Sequence, residues 1–286
     1  MAIEEEHVMH SVLAVSASHW RYHRKSPQQR CLSEIFHSMQ ACVGLRQCLD
    51  VPRADQTDAA MITSMFLGSV SFADTTEVFQ VPLKSRPVPF FWLGNQLGVG
   101  ALVSLFQTRA NRHSLLLGVF EELAQVVVHV DDDRSGTNDI PAELATIFEV
   151  EDSSTCNEHP YLGALRRLCR LLRTDPENEF ALLQYMQFVD GLSPQFIRLL
   201  NALDTRALML LSYWLALLCA KDCWWSRVRA RTDCWTICEH LELHGDETSW
   251  KYMDFPAKAC GYPYTGAVPS GQYLVDLLRL ESRQLG

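Results

Sequence analysis

The chain has 286 residues, 48% of them hydrophobic, and a formal net charge of −9 at pH 7. These values predict a globular protein with a sizeable core and argue against direct nucleic-acid binding, since domains that bind nucleic acid are usually basic. The acidic N-terminus does not fit a secretory signal, which carries positive charge before an apolar run. The longest apolar run, residues 207–220, is shorter than the roughly 20 residues that a membrane span needs.

The spacing of apolar residues predicts helices along most of the chain. In the first half these are residues 8–20, 27–50, a helix capped by Asp58, 89–106, 114–130 and 141–150, with a proline-containing loop over 74–89. The helix over 89–106 contains Gly94, Gly98 and Gly100. Each glycine costs about 1 kcal/mol in a helix interior, so we expect close packing or a ligand to compensate there.

The second half continues the helical pattern. Predicted helices cover residues 160–172 and 176–189, one starting at Ser193-Pro194, one capped by Asp204, 224–243, and 268–283. No run of alternating strands is visible. The predicted fold is therefore all-α, a single bundle or array of about nine to eleven helices that forms one domain over residues 1–286.

Ten cysteines are spread along the chain. Without a secretory signal we expect reduced, buried thiols, as in the cytosol or nucleus. Cys219 with Cys223 and Cys234 with Cys238 form two pairs at helical spacing. Structural zinc sites more often take their cysteines from turns than from a helix, so we interpret these four as core residues, with a zinc site as the alternative.

Residues 131–133 are three successive aspartates, a run that resembles the aspartate-rich magnesium site of helical terpene synthases. Such a site needs a second Asn/Ser/Glu motif on a facing helix, which Asn138-Asp139 begins but the following residues do not complete. The same segment partly fits a calcium loop, but Ala142 occupies the position of the bidentate glutamate. We interpret the segment as a solvated loop, with a terpene-cyclase-like enzyme as a remote alternative.

His19 and His23 lie four residues apart, a spacing that zinc could use on one face of a helix. We interpret them as ordinary histidines near a helix end. The sequence contains no nucleophile elbow, phosphate-binding loop or dinucleotide fingerprint. We therefore predict no catalytic residue, no metal site and no cofactor.

Aromatic residues cluster in two apolar regions, near residues 90–92 and 213–235. Ordinary core packing explains such clusters in most proteins. The functional alternative is a pocket for an apolar small molecule, in which Asn95, Ser212 and Cys219 would supply polar contacts. A pocket predicts a cavity of at least about 300 Å³ between residue 92 and residues 213–225, whereas a solid core there favours an interaction scaffold.

Several segments, taken in order, carry a resemblance to a known family. They are residues 10–20, 28–42, 57–73, 90–103 and 192–218, then Trp224-Trp225 and residues 252–256. Together they resemble the C-terminal regulatory domain of fungal binuclear zinc-cluster transcription factors, of the type found in sterol uptake control proteins.

The resemblance implies an all-α domain that controls transcription without catalysis, and in sterol-sensing members a lipid in a hydrophobic pocket restrains activation. Together with the aromatic cluster, it gives the predicted ligand-binding residues Phe91, Trp92, Met209, Tyr213, Trp214, Leu217, Trp224 and Trp225. The implied partners are a sterol or other apolar small molecule and the transcription machinery or a partner regulator. The implied location is the nucleus, and shuttling from the cytoplasm is left open. A homodimer is also left open. The alternative function is a ligand-free scaffold that acts as a co-regulator.

The family's DNA-binding module has six closely spaced cysteines followed by basic residues. Cys31, Cys42 and Cys48 do not have that spacing. We therefore expect no DNA-binding zinc cluster in this chain, which would be either an excised domain or a regulator without that module.

Overall fold

The computed structural model of the chain describes residues 5–24, 29–51, 53–75, 81–86, 89–108, 114, 116, 135–178, 180–221 and 223–263. Within these ranges it contains twelve α-helices and no β-strand, which confirms the predicted all-α fold. The helices are α1 (Glu6–Tyr22), α2 (Leu32–Asp50), α3 (Thr57–Ala73), α4 (Trp92–Thr108), α5 (Ala142–Ile147), α6 (Leu162–Arg173), α7 (Ala181–Asp190), α8 (Pro194–Asn201), α9 (Thr205–Cys219), α10 (Arg227–His244), α11 (Glu247–Lys251) and α12 (Asp254–Cys260).

Ten of these helices correspond to predicted ones, whereas α11 and α12 are short helices that lie where no helix was predicted. The helices predicted over 114–130 and 268–283 lie outside the described residues, apart from residues 114 and 116. The aspartates at 131–133 also lie outside them, so the terpene-cyclase alternative stays a prediction.

Two of the predicted helix starts are confirmed by their caps. Ser193 Oγ accepts a hydrogen bond from the Phe196 backbone N–H at the start of α8. The Asp204 carboxylate accepts from the Ala207 N–H at the start of α9. These side chains satisfy backbone donors that a helix leaves unpaired in its first turn.

Other boundaries differ from the prediction for local reasons. The helix predicted from residue 176 begins at Ala181, because Asp175 and Asn178 accept backbone N–H groups of a turn that competes with the helix. Asp58 is not the cap of α3, which begins at Thr57. Its carboxylate instead accepts from the Ser114 hydroxyl and the Leu116 N–H.

The chain divides into two compact units. Unit 1 comprises Met1–Phe79, Phe91–Val128 and Cys223–Arg229, and unit 2 comprises Gln80–Phe90, His129–Asp222 and Ala230–Gly286. A domain is defined by independent folding and not by compactness alone, so the single domain over 1–286 stays a prediction.

Unit 1 is built on α1 to α4. Helix α1 packs against α2 and α3, and α3 packs against α4. Ala14, Ala41 and Ala60 are fully buried, and such small residues allow helix axes to approach closely. Phe72 and Trp92 fill the remaining core, with their ring centroids 4.7 Å apart in an edge-to-face arrangement.

Gly44 marks a close approach of α2 to α1. A Cβ atom at Gly44 would meet the Cβ of His7 at 2.4 Å. We expect Gly44→Ala to lower the free energy of unfolding by about 1–3 kcal/mol, because overpacking outweighs the gain in helix propensity. Equilibrium urea denaturation would measure this change.

The matched control is Gly163 in α6, where an added Cβ would meet no atom within 4 Å in the part of the chain that the structure describes. There the same glycine-to-alanine change should raise the free energy of unfolding by about 0.5–1 kcal/mol. Opposite signs are therefore expected for one chemical change, and a stabilising Gly44→Ala would contradict the close approach.

Unit 2 is organised around α9. Every residue from 207 to 218 is buried, and α9 contacts α6, α7, α8, α11 and α12. In the described part of the chain, no single helix is both long and apolar enough to cross a bilayer. Helices α8 and α9 reach that length and composition only as a pair, and they are bent by 99° at their junction.

Candidate functional site

A groove of about 630 Å³ opens in unit 1 between α2, α3 and α4. This volume falls within the range of about 300–1,000 Å³ that is typical of small-molecule pockets. The lining residues recur at helical spacing on each helix, so one face of each helix forms a wall. They include Ser38, Cys42, Leu45 and Leu49 of α2, Ser64, Leu67, Gly68 and Ser71 of α3, and Gly94, Asn95, Gly98 and Leu102 of α4, with Phe91 just before α4.

The wall formed by α4 is open because of its glycines. A Cβ atom at Gly94 or at Gly98 would meet no atom of the described residues within 4 Å. The sequence left close packing or a ligand as explanations for these glycines. At these two positions the packing is open, so the volume beside α4 is available to a ligand.

The groove has a polar end. Arg30 Nη2 donates to Ser38 Oγ at 2.8 Å, and Arg30 Nη1 lies 3.5 Å from Asp74 Oδ2. Asn95 Nδ2 donates to Ser71 Oγ at 2.7 Å. Polar groups that are already held in position can orient the head of a ligand.

The opposite end is apolar. Leu102 belongs to a buried cluster with Cys48, Ala60 and Met61, and Leu45 and Leu49 pack against it. These leucines also line the groove. The groove therefore combines the apolar surface of these leucines with a polar end, and the exposed side chains of Arg46 and Asp50 also line it beside Leu45 and Leu49.

Four of the eight predicted ligand-binding residues belong to unit 1. Phe91 lines the groove, and its ring lies 5.1 Å from the guanidinium carbon of Arg229. Trp92 is fully buried against Phe72, whose ring centroid is also 5.7 Å from that of Trp225. The Trp224 ring instead packs beside the rings of His19 and Tyr22.

The other four belong to α9 of unit 2 and are buried: Met209, Tyr213, Trp214 and Leu217. Tyr213 donates its hydroxyl hydrogen to the Tyr252 carbonyl, and Trp214 Nε1–H donates to the Tyr185 carbonyl at 2.6 Å. Burial raises the pKa of Tyr213 well above its usual range. Their polar atoms are thus satisfied within the fold, and their role in binding a ligand stays a prediction.

Phe91, Gly94, Asn95 and Gly98, which the sequence singled out, line this groove, whereas sequence reasoning did not single out the walls formed by α2 and α3. Most residues of those two walls are small or apolar and recur every three or four positions along the helix, as they do on any buried helix face. Such a pattern indicates that a face is covered, without indicating whether protein or ligand covers it. No signal in the sequence separates Leu67 from an ordinary core leucine.

The histidine pair and the cysteine pairs, for which zinc binding was only the alternative interpretation, lie in different surroundings. The Nε2 atoms of His19 and His23 lie 3.1 Å apart, but among the described residues no third ligand completes a metal site with them. All ten cysteines are free thiols. Cys234 and Cys238 come together with Cys260, a residue that the sequence did not associate with them.

Charge is distributed unevenly within this thiol cluster of Cys234, Cys238 and Cys260. Burial raises the pKa of Cys234 and of Cys238 well above the usual thiol value. Hydrogen bonds from the Cys234 and Cys238 thiols stabilise the Cys260 thiolate and lower the pKa of Cys260. Within the cluster, Cys260 is therefore the thiol that loses its proton most readily.

No protein-family model, curated protein or solved structure matches this chain. The resemblance to fungal regulatory domains thus rests on the segments of the chain named above, and membership of that family stays a prediction.

Proposed function

We propose that the chain is a non-catalytic regulatory domain of a fungal transcription regulator and that it binds an apolar small molecule in the groove between α2, α3 and α4. The observation that carries the ligand proposal is the open face of α4 at Gly94 and Gly98 within a groove of about 630 Å³. The regulatory role comes from the resemblance of the chain's segments to the fungal domains.

The energetics of α4 support a bound ligand. Two helical glycines cost about 2 kcal/mol together relative to alanine, and alanine would fit at both positions without contact. An apolar ligand that covers the groove would remove hydrocarbon surface from water at about 25 cal/mol per Å². The glycines keep the volume that makes this burial available.

The ligand class follows from the shape and polarity of the groove. Leu45, Leu49 and Leu102 would contact a hydrocarbon body, and the end near Arg30 and Asn95 would contact a polar group. A sterol, with one hydroxyl on a rigid apolar skeleton, has this distribution. Other amphipathic lipids share it, so the proposed class is an apolar molecule with a single polar end.

The proposed mechanism is a shift of population between helix arrangements. A ligand changes the equilibrium only by binding one arrangement more tightly than the other. Contact with α2, α3 and α4 would favour the arrangement in which these walls fit the ligand. That arrangement would then expose or cover a surface for the transcription machinery or a partner regulator in the nucleus.

A second candidate is a ligand-free scaffold that acts as a co-regulator, and one observation favours it. Five exposed apolar residues form a stripe along the surface of α2: Leu32, Ile35, Phe36, Met39 and Val43. Contiguous exposed apolar surface often marks a protein interaction site. Under this alternative, Met39→Glu would abolish partner binding, and no lipid would bind.

The groove is tested with Gly98→Leu. Leucine is a good helix former, and its side chain would enter the open volume beside α4. We expect the free variant to be at least as stable as the wild type. A lipid at 100 times its Kd should stabilise the wild type by about 2.7 kcal/mol and so raise its melting temperature. The same lipid should not raise the melting temperature of Gly98→Leu.

Gly163→Leu is the matched control, since Gly163 also lies on a helix face with no atom within 4 Å of an added Cβ but does not line the groove. This variant should keep the full ligand-induced shift. If no sterol or other lipid stabilises the wild type well above micromolar concentration, the ligand proposal fails. If Gly98→Leu keeps the shift, the ligand binds elsewhere.

The regulatory role has a separate test. The chain fused to a heterologous DNA-binding module should change expression of a reporter gene, and the lipid that binds in vitro should alter that change. Gly98→Leu should make the reporter insensitive to the lipid, while Gly163→Leu should not. A fusion that leaves expression unchanged in every condition would contradict a role in transcription.

A further inference from the structure

The strongest unassigned cluster of reactive side chains is the thiol cluster in unit 2. The Sγ atoms of Cys234, Cys238 and Cys260 all lie within 4.8 Å of one another. Their residues are at most 2% exposed. Buried thiols often act as small apolar side chains, so the convergence of three sulfurs is the feature that needs an explanation.

Two helices build the cluster. Cys234 and Cys238 lie four residues apart on α10 and therefore share one face. Cys260 is the last residue of α12, which ends at Gly261 in the left-handed conformation, with φ of 79°. The Gly261 N–H donates to the Ala257 carbonyl at 2.9 Å, a helix end that glycine adopts without strain. This cap holds Cys260 in the final turn, where its sulfur meets the pair on α10.

The spacing of the sulfurs is close to that of a metal–thiolate site. A zinc–sulfur bond is about 2.3 Å long, so sulfurs arranged around one ion lie about 4 Å apart. The separations in the cluster require adjustments of less than about 1 Å to reach this value. Side-chain rotation at three cysteines on two helices can supply such a shift.

The donor set fits a thiophilic ion better than a hard cation, because its three members are sulfurs. The Cys234 thiol donates to the Ser212 carbonyl at 3.6 Å and to the Pro256 carbonyl at 3.4 Å, and a metal–sulfur bond would replace these hydrogen bonds. Thiolates select soft ions such as zinc and copper(I), whereas calcium and magnesium require oxygen ligands.

We propose that Cys234, Cys238 and Cys260 bind one thiophilic ion, zinc or copper(I), that joins α10 to α12. Binding replaces three S–H bonds with three metal–sulfur bonds, and the three protons leave to solvent. Cys219, at the end of α9, lies outside the group of three mutually close sulfurs. Structural zinc would require a fourth ligand, whereas copper(I) is satisfied by three thiolates.

The first test measures metal in the full chain after expression with zinc or copper supplied and purification under reducing conditions without chelators. We expect about one equivalent of metal for each chain. Changes next to metal ligands already cost about 10–100-fold in affinity, so Cys238→Ala should lower metal content at least tenfold. Cys169→Ala, which removes a buried thiol of α6 outside the cluster, should leave it unchanged.

The second test uses metal-free wild type and does not depend on the folding of any variant. Titration with cobalt(II) should produce thiolate-to-metal charge-transfer absorption that zinc then displaces, and titration with a copper(I) complex forms the other arm. Wild type that neither contains nor takes up metal, or equal metal loss in Cys169→Ala, would overturn the proposal.

Discussion

Glu34→Gln is expected to lower the free energy of unfolding by about 3–5 kcal/mol. The Glu34 side chain is fully buried and accepts from Arg21 Nε at 2.8 Å, from Arg21 Nη2 at 3.1 Å and from Arg30 Nε at 3.1 Å. Glutamine keeps the shape but removes the charge. The Arg21 side chain, only 7% exposed, would then remain buried and lose the negative charge of Glu34. Equilibrium urea denaturation measures the loss.

The exposed ion pair between Arg53 and Asp55 provides the control. Asp55→Asn should change the free energy of unfolding much less than Glu34→Gln, because solvent screens exposed pairs. A double-mutant cycle gives the sharper test. Arg21→Met combined with Glu34→Leu should cost far less than the sum of the two single changes, since neither member of the buried pair remains charged. Additive costs would contradict a coupled pair.

Trp214→Ala, a change in the core of unit 2, is expected to lower the free energy of unfolding by about 3–5 kcal/mol. The side chain is fully buried on α9, its ring stacks on Phe188 with centroids 5.6 Å apart, and its Nε1–H donates to the Tyr185 carbonyl. Alanine would leave a cavity against α7 and remove that donor. Chemical denaturation followed by the fluorescence of the remaining tryptophans reports the change.

Two further variants separate the contributions. Trp214→Phe keeps most of the volume and removes the donor, so it should cost less than Trp214→Ala. Trp235→Ala removes a tryptophan of α10 that is 37% exposed and should cost less than half as much as Trp214→Ala. If Trp214→Phe left stability unchanged but abolished lipid binding, Trp214 would be a ligand-binding residue, as the sequence predicted.

Local signals in the sequence predicted the helices that carry their own caps. Ser193-Pro194 and Asp204 mark the starts of α8 and α9 because capping depends on residues three positions apart. The predicted start of α7 was wrong, because the side chains of Asp175 and Asn178 form turns over the residues where the helix was expected to begin. Periodicity predicts that a helix exists more reliably than it predicts where the helix begins.

The orientation of α2 could not be predicted from its pattern. Its large apolar side chains between Leu32 and Val43 are exposed, whereas Glu34, Ser38 and Ala41 are buried. The buried face is fixed by Arg21 and Arg30, which hold Glu34 from outside α2. A tertiary ion pair has no local signature in the sequence.

The same limit applies to Cys260. Its partners on α10 were visible as a helical pair, but the approach of α12 depends on a helix of seven residues and on its cap at Gly261. The candidate groove was partly predictable, since the glycines of α4 conflict with helix propensity and conflicts of this kind often mark functional positions.

The open face of α4 also affects how the protein would change under artificial selection. Glycine and alanine codons differ by a single nucleotide, and alanine fits without contact at Gly94 and at Gly98. Repeated rounds of mutagenesis that reward heat resistance alone should therefore convert these positions first, with the groove shrinking as the helix strengthens. Rounds that also reward ligand capture should keep both glycines, so sequencing the two lineages would show which property the empty volume serves.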